Sequence, residues 1–249
     1  MNFRKFSLMS ILVSAFIFSL PQSAEAAKKK GGKGAFAGGS LSLGFGVGIV
    51  TADQSGLNGM IRDAKAANGA STSDFNSGYE FSGQLTFRFS NNLVAIQLRP
   101  SYIMQSASGS ASDGSYDYKL TGFTLFPLVR IIPLSNDIID FYLQAGLGYG
   151  KLDGDITNGP RNAKFSGSSF GMQVGVGADF CLVPDHCFGV EGNYRYLPIV
   201  RNIVSSASAS TVYGASQAAT DRELENLNGS DIATSLTGIS GALSYTYNF

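Results

Sequence analysis

The chain's shortages narrow its chemistry before any motif is weighed. Tryptophan is absent, His186 is the single histidine, and Cys181 and Cys187 are the only cysteines. One imidazole and two nearby sulfurs do not fill a four-ligand zinc site, so neither a metal nor any other cofactor is expected. Charge is sparse, at 14% of residues, and balanced at 18 basic and 18 acidic side chains. That balance supplies no basic field for nucleic acid. Long apolar runs are missing as well: beyond residue 26, Gly, Ser, Asn or a charge interrupts each one before it reaches the ~20 residues that a membrane-crossing helix needs.

Glycine and the aromatics are abundant, with 31 Gly, 18 Phe and 11 Tyr, yet mean hydropathy is only +0.08. Hydrophobicity spread over alternating positions gives a chain this mild overall. At the N-terminus, Arg4 and Lys5 precede an uncharged stretch from Phe6 to Leu20, then Pro21 and the small-residue site Ala24-Glu25-Ala26. This is the layout of a cleaved secretory signal over residues 1–26, and no Cys at the cleavage site offers a lipid attachment. Lys28, Lys29, Lys30 and Lys33 among glycines make residues 27–35 a short basic tail, whose attraction to anionic groups salt would screen.

From residue 36 onward the period is two, the period of a strand with two chemically distinct faces. In the last segment Leu243, Tyr245, Tyr247 and Phe249 share one face, and Ala242, Ser244, Thr246 and Asn248 the other. Six of the seven earlier segments repeat the division. Phe36 to Val50 sets Leu41, Leu43, Phe45, Val47 and Ile49 against Ser42, Gly44, Gly46 and Gly48; Tyr79 to Phe89 sets Phe81, Leu85 and Phe87 against Ser82, Gln84, Thr86 and Arg88. Leu93 to Met104, Ile138 to Leu152, Gly167 to Cys181 and Cys187 to Val200 follow the same rule. Tyr116 to Ile132 does not: Tyr116, Tyr118 and Leu120 share one parity and Phe123, Leu125, Val129 and Ile131 the other. A bulge near Gly122 is the expected cause, and the faces of this strand stay unassigned.

Strands can cross lipid only as a closed barrel, because an open sheet would leave edge N–H and C=O groups unsatisfied. Turns at residues 90–92, 133–137 and 183–185 are short, whereas the connections at 51–78, 105–115, 153–166 and 201–235 are long. Volume decides the faces. An eight-stranded barrel is too narrow inside for the bulky apolar set, so that set points outward and the Gly, Ser, Gln and Arg set inward. Tyr79, Tyr102, Tyr116, Tyr149, Tyr196 and Tyr247 lie near strand ends, where interfacial aromatic girdles belong.

These features together resemble the small OmpA/OmpX-like family of eight-stranded outer-membrane β-barrels. The resemblance implies an all-β, eight-stranded antiparallel up-and-down transmembrane barrel over residues 36–249. It further implies an outer-membrane location in a double-membraned bacterium, surrounding lipid as partner, both termini in the periplasm and the long loops outside. The C-terminal alternation ending on Phe249 is similar to the signal that the barrel-assembly machinery reads, which would fall on Leu243, Tyr245, Tyr247 and Phe249.

Inward-facing Arg88, Arg99, Asp179, Glu191 and Arg195 are the candidate site residues. Charges in a narrow lumen must pair, with one another and with Gln84, Gln97, Gln144, Gln173 and Asn193, because an unpaired buried charge is costly. A closed polar core is expected, and a selectivity lining for a small pore is the alternative. The glycine stripes Gly44, Gly46, Gly48 and Gly146, Gly148, Gly150 sit within strands rather than before a helix, so they are room for long side chains and not a dinucleotide fingerprint. Cys181 and Cys187 flank the third turn with inward parity, and an oxidising periplasm would favour a disulfide between them. Asp153-Gly-Asp155 lacks the further oxygen ligands of a calcium loop and is expected to be a turn. Short helices are expected at Leu57 to Ala67 and at Thr220 to Leu227. Barrel enzymes of this membrane generally carry a His on the loop side, and His186 falls at a turn. The expectation is a non-enzymatic barrel with a structural or surface-interaction role; a narrow permeation channel comes second and a lipid-modifying enzyme third.

Overall fold

The computed structural model describes residues 39–249 except 53, 91, 137, 184, 209–215, 218–219 and 227–229. The expected leader and basic tail, together with residues 36–38 of the expected first strand, lie outside the described residues.

Eight strands carry the fold: β1 (Gly39–Val50), β2 (Gly78–Phe89), β3 (Val94–Ala111), β4 (Gly114–Ser135), β5 (Ile139–Asn158), β6 (Arg161–Val183), β7 (His186–Tyr196) and β8 (Gly238–Asn248). Each pairs antiparallel with its neighbours in sequence, and β8 pairs with β1, from Ser42↔Asn248 to Val50↔Ser240. The ring is therefore closed, an up-and-down barrel with no free edge along its shared length. Large apolar side chains such as Phe45, Leu147, Phe170 and Leu243 cover its outer face, with Phe170 80% exposed. A soluble monomer rarely exposes so continuous an apolar surface, and a lipid-facing wall requires it.

The turns follow local chemistry. Asn92 (φ 58°) and Asp185 (φ 69°) take the left-handed backbone at the ends of the β2–β3 and β6–β7 connections, a conformation that Asn and Asp tolerate better than other side chains. Between β4 and β5 the Asn136 Oδ1 accepts the N–H groups of Ile138 (2.9 Å) and Ile139 (2.8 Å).

Two of the four expected loops are strand instead. β3 and β4 stay paired out to Ala111↔Gly114, and β5 and β6 to Asn158↔Arg161, so 105–115 and 153–166 are long hairpins with tight tips. Asp153-Gly-Asp155 is accordingly not a turn but part of β5, and its carboxylates meet Lys151 (2.9 Å) and Lys164 (3.6 Å). Nor does β4 bulge near Gly122, since its register with β3 runs unbroken from Val94↔Ile131 to Ala111↔Gly114. The alternation of faces holds along β4 while the chemistry inverts. Phe123, Leu125, Val129 and Ile131 point out around the belt; further along, Ser115, Asp117, Lys119 and Thr121 occupy the outer positions and Tyr116, Tyr118 and Leu120 point in. Beyond the lipid the barrel exterior meets water, so apolar side chains there move inside, as in a soluble domain. Tyr116, fully buried, therefore belongs to this inner core rather than to the girdle.

The core at the loop end is closed by helix α1 (Ser55–Asn68), which buries Leu57, Met60, Ile61 and Ala64. Their spacing, i, i+3, i+4 and i+7, is one helix face. Gly69 (φ 67°) ends the helix in the left-handed conformation, its N–H donating to Lys65 O at 3.0 Å; only glycine takes that backbone freely. In the last loop Ile203–Ala207 joins the end of β6, and Pro198–Ile199 pairs with Thr234–Ser235. The helix expected from Thr220 is absent among the described residues there, because Glu225–Asn226 pairs with Ser216–Gln217 as strand. Leu224, Ile232 and Leu236 of this loop join the core under α1.

Candidate functional site: the lumen and its cap

Strand parity brings four arginines and four carboxylates into the lumen. From the turn end upward, Arg88 Nη1 lies 2.7 Å from Asp140, Arg130 Nη1 is 3.7 Å from Asp179, Arg99 pairs with Glu191, and Arg195 Nη1 lies 3.2 Å from Glu80. Arg130 Nη2 is also 3.7 Å from Glu191, so that carboxylate joins two guanidinium groups. Arg99, with its side chain 1% exposed, and Glu191, at 0%, are the most deeply buried pair.

Neutral groups tie these levels together. Gln144 accepts from Arg130 Nε (2.9 Å) and donates to Asn193 Oδ1 (2.6 Å) and Glu191 (3.4 Å). Tyr142 donates to Glu191 at 3.3 Å, and its ring lies 4.0 Å under the Arg130 guanidinium. Gln97 donates to Gln84 and to Thr86, both at 3.2 Å. Opposed charges that share such hydrogen bonds offset part of the desolvation that burial in a narrow lumen imposes. Inward glycines supply the space: a Cβ on Gly177 would stand 2.4 Å from the Tyr142 ring, and one on Gly175 2.1 Å from Asn193 Oδ1.

All five candidate residues lie in this lumen, and Arg88 does so at its rim, with its side chain 20% exposed. Sequence reasoning missed Glu80, Arg130 and Asp140, and placed Tyr142 on the inward face with Gln144 without giving it a role. Glu80 shares the parity of Ser82 and Gln84, and Asp140 that of Tyr142 and Gln144, so extending each alternation by a residue or two finds them. Arg130 went unread because the inverted chemistry of β4 hid its faces.

Towards the loop end the lumen is filled by Ile103, Leu152, Phe165, Leu197 and their neighbours in the core under α1, a cluster that also includes Phe126, the cross-strand partner of Arg99. On the turn side of the Arg99–Glu191 pair an open cavity of about 270 Å³, lined by Arg88, Arg130, Asp140, Tyr142 and Asp179, reaches the turn end. Cys181 and Cys187 are joined by a disulfide at that end, where Asn248 Nδ2 lies 3.3 Å from Cys187 Sγ. His186 sits there too, its Nδ1 2.6 Å from the Tyr245 hydroxyl. At the opposite pole, burial pushes the Tyr116 hydroxyl above its usual range; Asn68 Nδ2 donates to it at 2.8 Å, and it donates to the Asp113 carboxylate at 3.0 Å.

Comparison with known proteins agrees with this architecture. The family model described as outer membrane protein beta-barrel domain matches residues 10–211. No curated protein sequence matches. The fold is similar to that of the outer membrane protein OprG from Pseudomonas aeruginosa, with 15% identity, coverage of 85% of this chain and 96% of that one, and a TM-score of 0.53. It is similar also to a major outer membrane protein from Thermus thermophilus, with 13% identity, 85% and 99% coverage, and a TM-score of 0.54. At such identities the likeness is one of fold.

Proposed function

The chain belongs to the outer-membrane protein β-barrel domain family, and on that premise we propose that it is a non-enzymatic, closed scaffold that holds a rigid platform above the outer membrane for structural or surface-interaction work. The turns and both termini then face the periplasm, and the two long hairpins with the α1 cap face the exterior. The observation that carries this reading is the double obstruction of the lumen. A solute entering the 270 Å³ cavity meets the Arg99–Glu191 pair and, past it, a core of fully buried apolar side chains. Water and ions gain nothing from such a core, and moving a charge through it is costly.

Position argues against catalysis. His186 lies at the turn end, bonded to Tyr245, away from the outer-leaflet side where barrel enzymes act. The strand β8 carries Leu243, Tyr245 and Tyr247 on the outer face, with Phe249 following, and this pattern is the segment offered to the barrel-assembly machinery. Planar-bilayer recordings of the wild-type protein test the closed lumen: brief or no current is expected, and a stable, large open conductance would favour a permeation channel instead.

A further inference from the structure

The outer wall has a step where β2 begins. Tyr79↔Met104 is the last outward pair of β2 with β3; before Gly78 the chain leaves the sheet, while β3 and β4 continue to Ala111 and Gly114. The uncovered flank is a cleft of about 400 Å³, lined by residues that include Tyr79, Met104, Leu120 and Lys119. It lies at the height where the wall changes solvent, because outward residues pass from Tyr102 and Met104 to Ser106 on β3, and from Phe123 to Thr121 and Lys119 on β4. Its floor is apolar and its upper rim carries an ammonium.

Among the described residues that ammonium has no carboxylate. Of the three lysines that the hairpins point outward above the belt, Lys151 meets Asp153 at 2.9 Å and Lys164 meets Asp155 at 3.6 Å. Lys119 stands across the β4–β5 pair from Asp155, yet no ion pair holds it among the described residues. On the other side of Tyr79, which is 64% exposed, the belt itself is hollowed. A trough of about 440 Å³ runs beside Val47, Ile49, Phe81 and Leu243 to Gly241. A Cβ added at Gly241, or at its cross-strand partner Gly192, would meet no atom within 4 Å. Hydrocarbon must fill that trough, since nothing else is present at this depth.

We propose that this wall is a seat for one phosphate-bearing lipid of the outer leaflet. Its acyl chain lies in the trough at Gly241, Tyr79 packs against it at the interface, and its phosphate takes Lys119 as counter-ion through a charge-assisted hydrogen bond. An aromatic ring and a lysine at one interfacial height are how membrane proteins hold amphiphiles whose one end is greasy and whose other end is ionised. The seat rests on the proposed orientation, which puts this rim in the outer leaflet, and not on whether the lumen conducts, because it lies on the outside of the barrel.

The test is native mass spectrometry of the folded full-length protein in a non-ionic detergent, titrated with a diphosphorylated, acylated disaccharide as the lipid probe. The same lipid without phosphates and inorganic phosphate alone are the comparison arms. Wild type should retain one equivalent of the phosphorylated lipid. Lys119→Gln should retain at least tenfold less at equal lipid concentration, Lys119→Arg should restore retention, and Gly241→Leu, which puts a bulky side chain into the trough from a position whose Cβ meets no atom within 4 Å, should lower it severalfold. Lys151→Gln, taken from a lysine already paired, should behave as wild type. Folding of each variant is checked by its mobility on a gel with and without boiling. Equal retention by Lys119→Gln and wild type, equal retention of the dephosphorylated lipid, or displacement by millimolar inorganic phosphate would each overturn the proposal.

Discussion

Glu191 is the residue on which the lumen turns, because it faces both Arg99 and Arg130 and accepts from Tyr142 and Gln144. Replacing it by Ala leaves Arg99 without a carboxylate in a site that water barely reaches, and leaves Arg130 with Asp179 as its remaining carboxylate. Breaking one side of a buried ion pair costs about 3–5 kcal/mol, so Glu191→Ala should lower the unfolding free energy of the barrel in lipid vesicles by that order, seen as a fall in the urea midpoint of the unboiled gel mobility. Arg99→Met combined with Glu191→Leu should recover much of the loss, since an apolar pair of similar volume needs no counter-charge. A double variant as unstable as the single one would mean that the charges do more than neutralise each other. Gly177→Val tests the packing beneath: its side chain would enter the space of the Tyr142 ring, 2.4 Å from the position of a Cβ, and should destabilise by about 1–3 kcal/mol as an overpacked core does. That Arg99 and Glu191 both point inward was legible from parity, though not that they meet, whereas the role of Arg130 was hidden, for its neighbours along the sequence read as two conflicting faces.

That conflict belongs to the element. A β-strand keeps its period of two wherever it goes, but which face is apolar depends on what lies outside, and β4 passes from lipid to water partway along its 22 residues. Sequence patterning assumes one solvent per strand; it therefore reads β1, β2 and β8 correctly, since most of their length lies in one, and mistakes the inversion in β4 for a bulge. The same assumption turned the outer parts of β3–β4 and β5–β6 into loops, because Ser106, Ser108 and Lys164 look like loop residues when a lipid-facing strand is expected. The inversion makes a sharp prediction about adjacent positions. Leu120→Asp puts a carboxylate into the apolar core and should cost several kcal/mol or abolish folding, while Thr121→Lys, one residue on, on the outer face and opposite Asp153, should change stability by less than about 0.5 kcal/mol. Five residues beyond Leu120, the order of the faces holds and the chemistry reverses: Leu125→Asp exposes a charge to hydrocarbon and should be poorly tolerated. Folded yield in detergent, scored by heat-modifiable mobility, measures all three, and equal behaviour of the Leu120 and Thr121 variants would restore the bulge. Met60→Asp in α1 follows the same logic, with one difference. The ring is closed by backbone pairing below the cap, so this variant should remain a heat-modifiable barrel while protease gains access to residues 51–77.

At the scale of the whole molecule the two ends differ, and the proposed orientation rests on that asymmetry. Four connections are at one end, and there the chain builds two extended hairpins, a helix and a buried apolar core. At the other are three tight turns, a disulfide and the polar cavity. A barrel inserted from the periplasm must drag one set of connections through the bilayer, yet the bulkier, more ordered set is the one proposed to lie outside. Under that proposal the short turns remain on the side of synthesis, and the hairpins cross unfolded and acquire their core after emerging. An epitope inserted at the β5–β6 tip, beside Gly159 with its φ of 60°, disturbs no ladder bond beyond the last pair, Asn158↔Arg161. An epitope in the β4–β5 turn after Ser135 is its counterpart. Antibody added to intact cells should stain the first and ignore the second, and permeabilising the outer membrane should reveal both. Staining of the turn insertion on intact cells would reverse the proposed orientation. Staining of neither would place the hairpins beneath other surface components, which the heat-modifiability gel on isolated outer membranes separates from failure to insert: an inserted barrel shifts in mobility on boiling, and an uninserted chain does not.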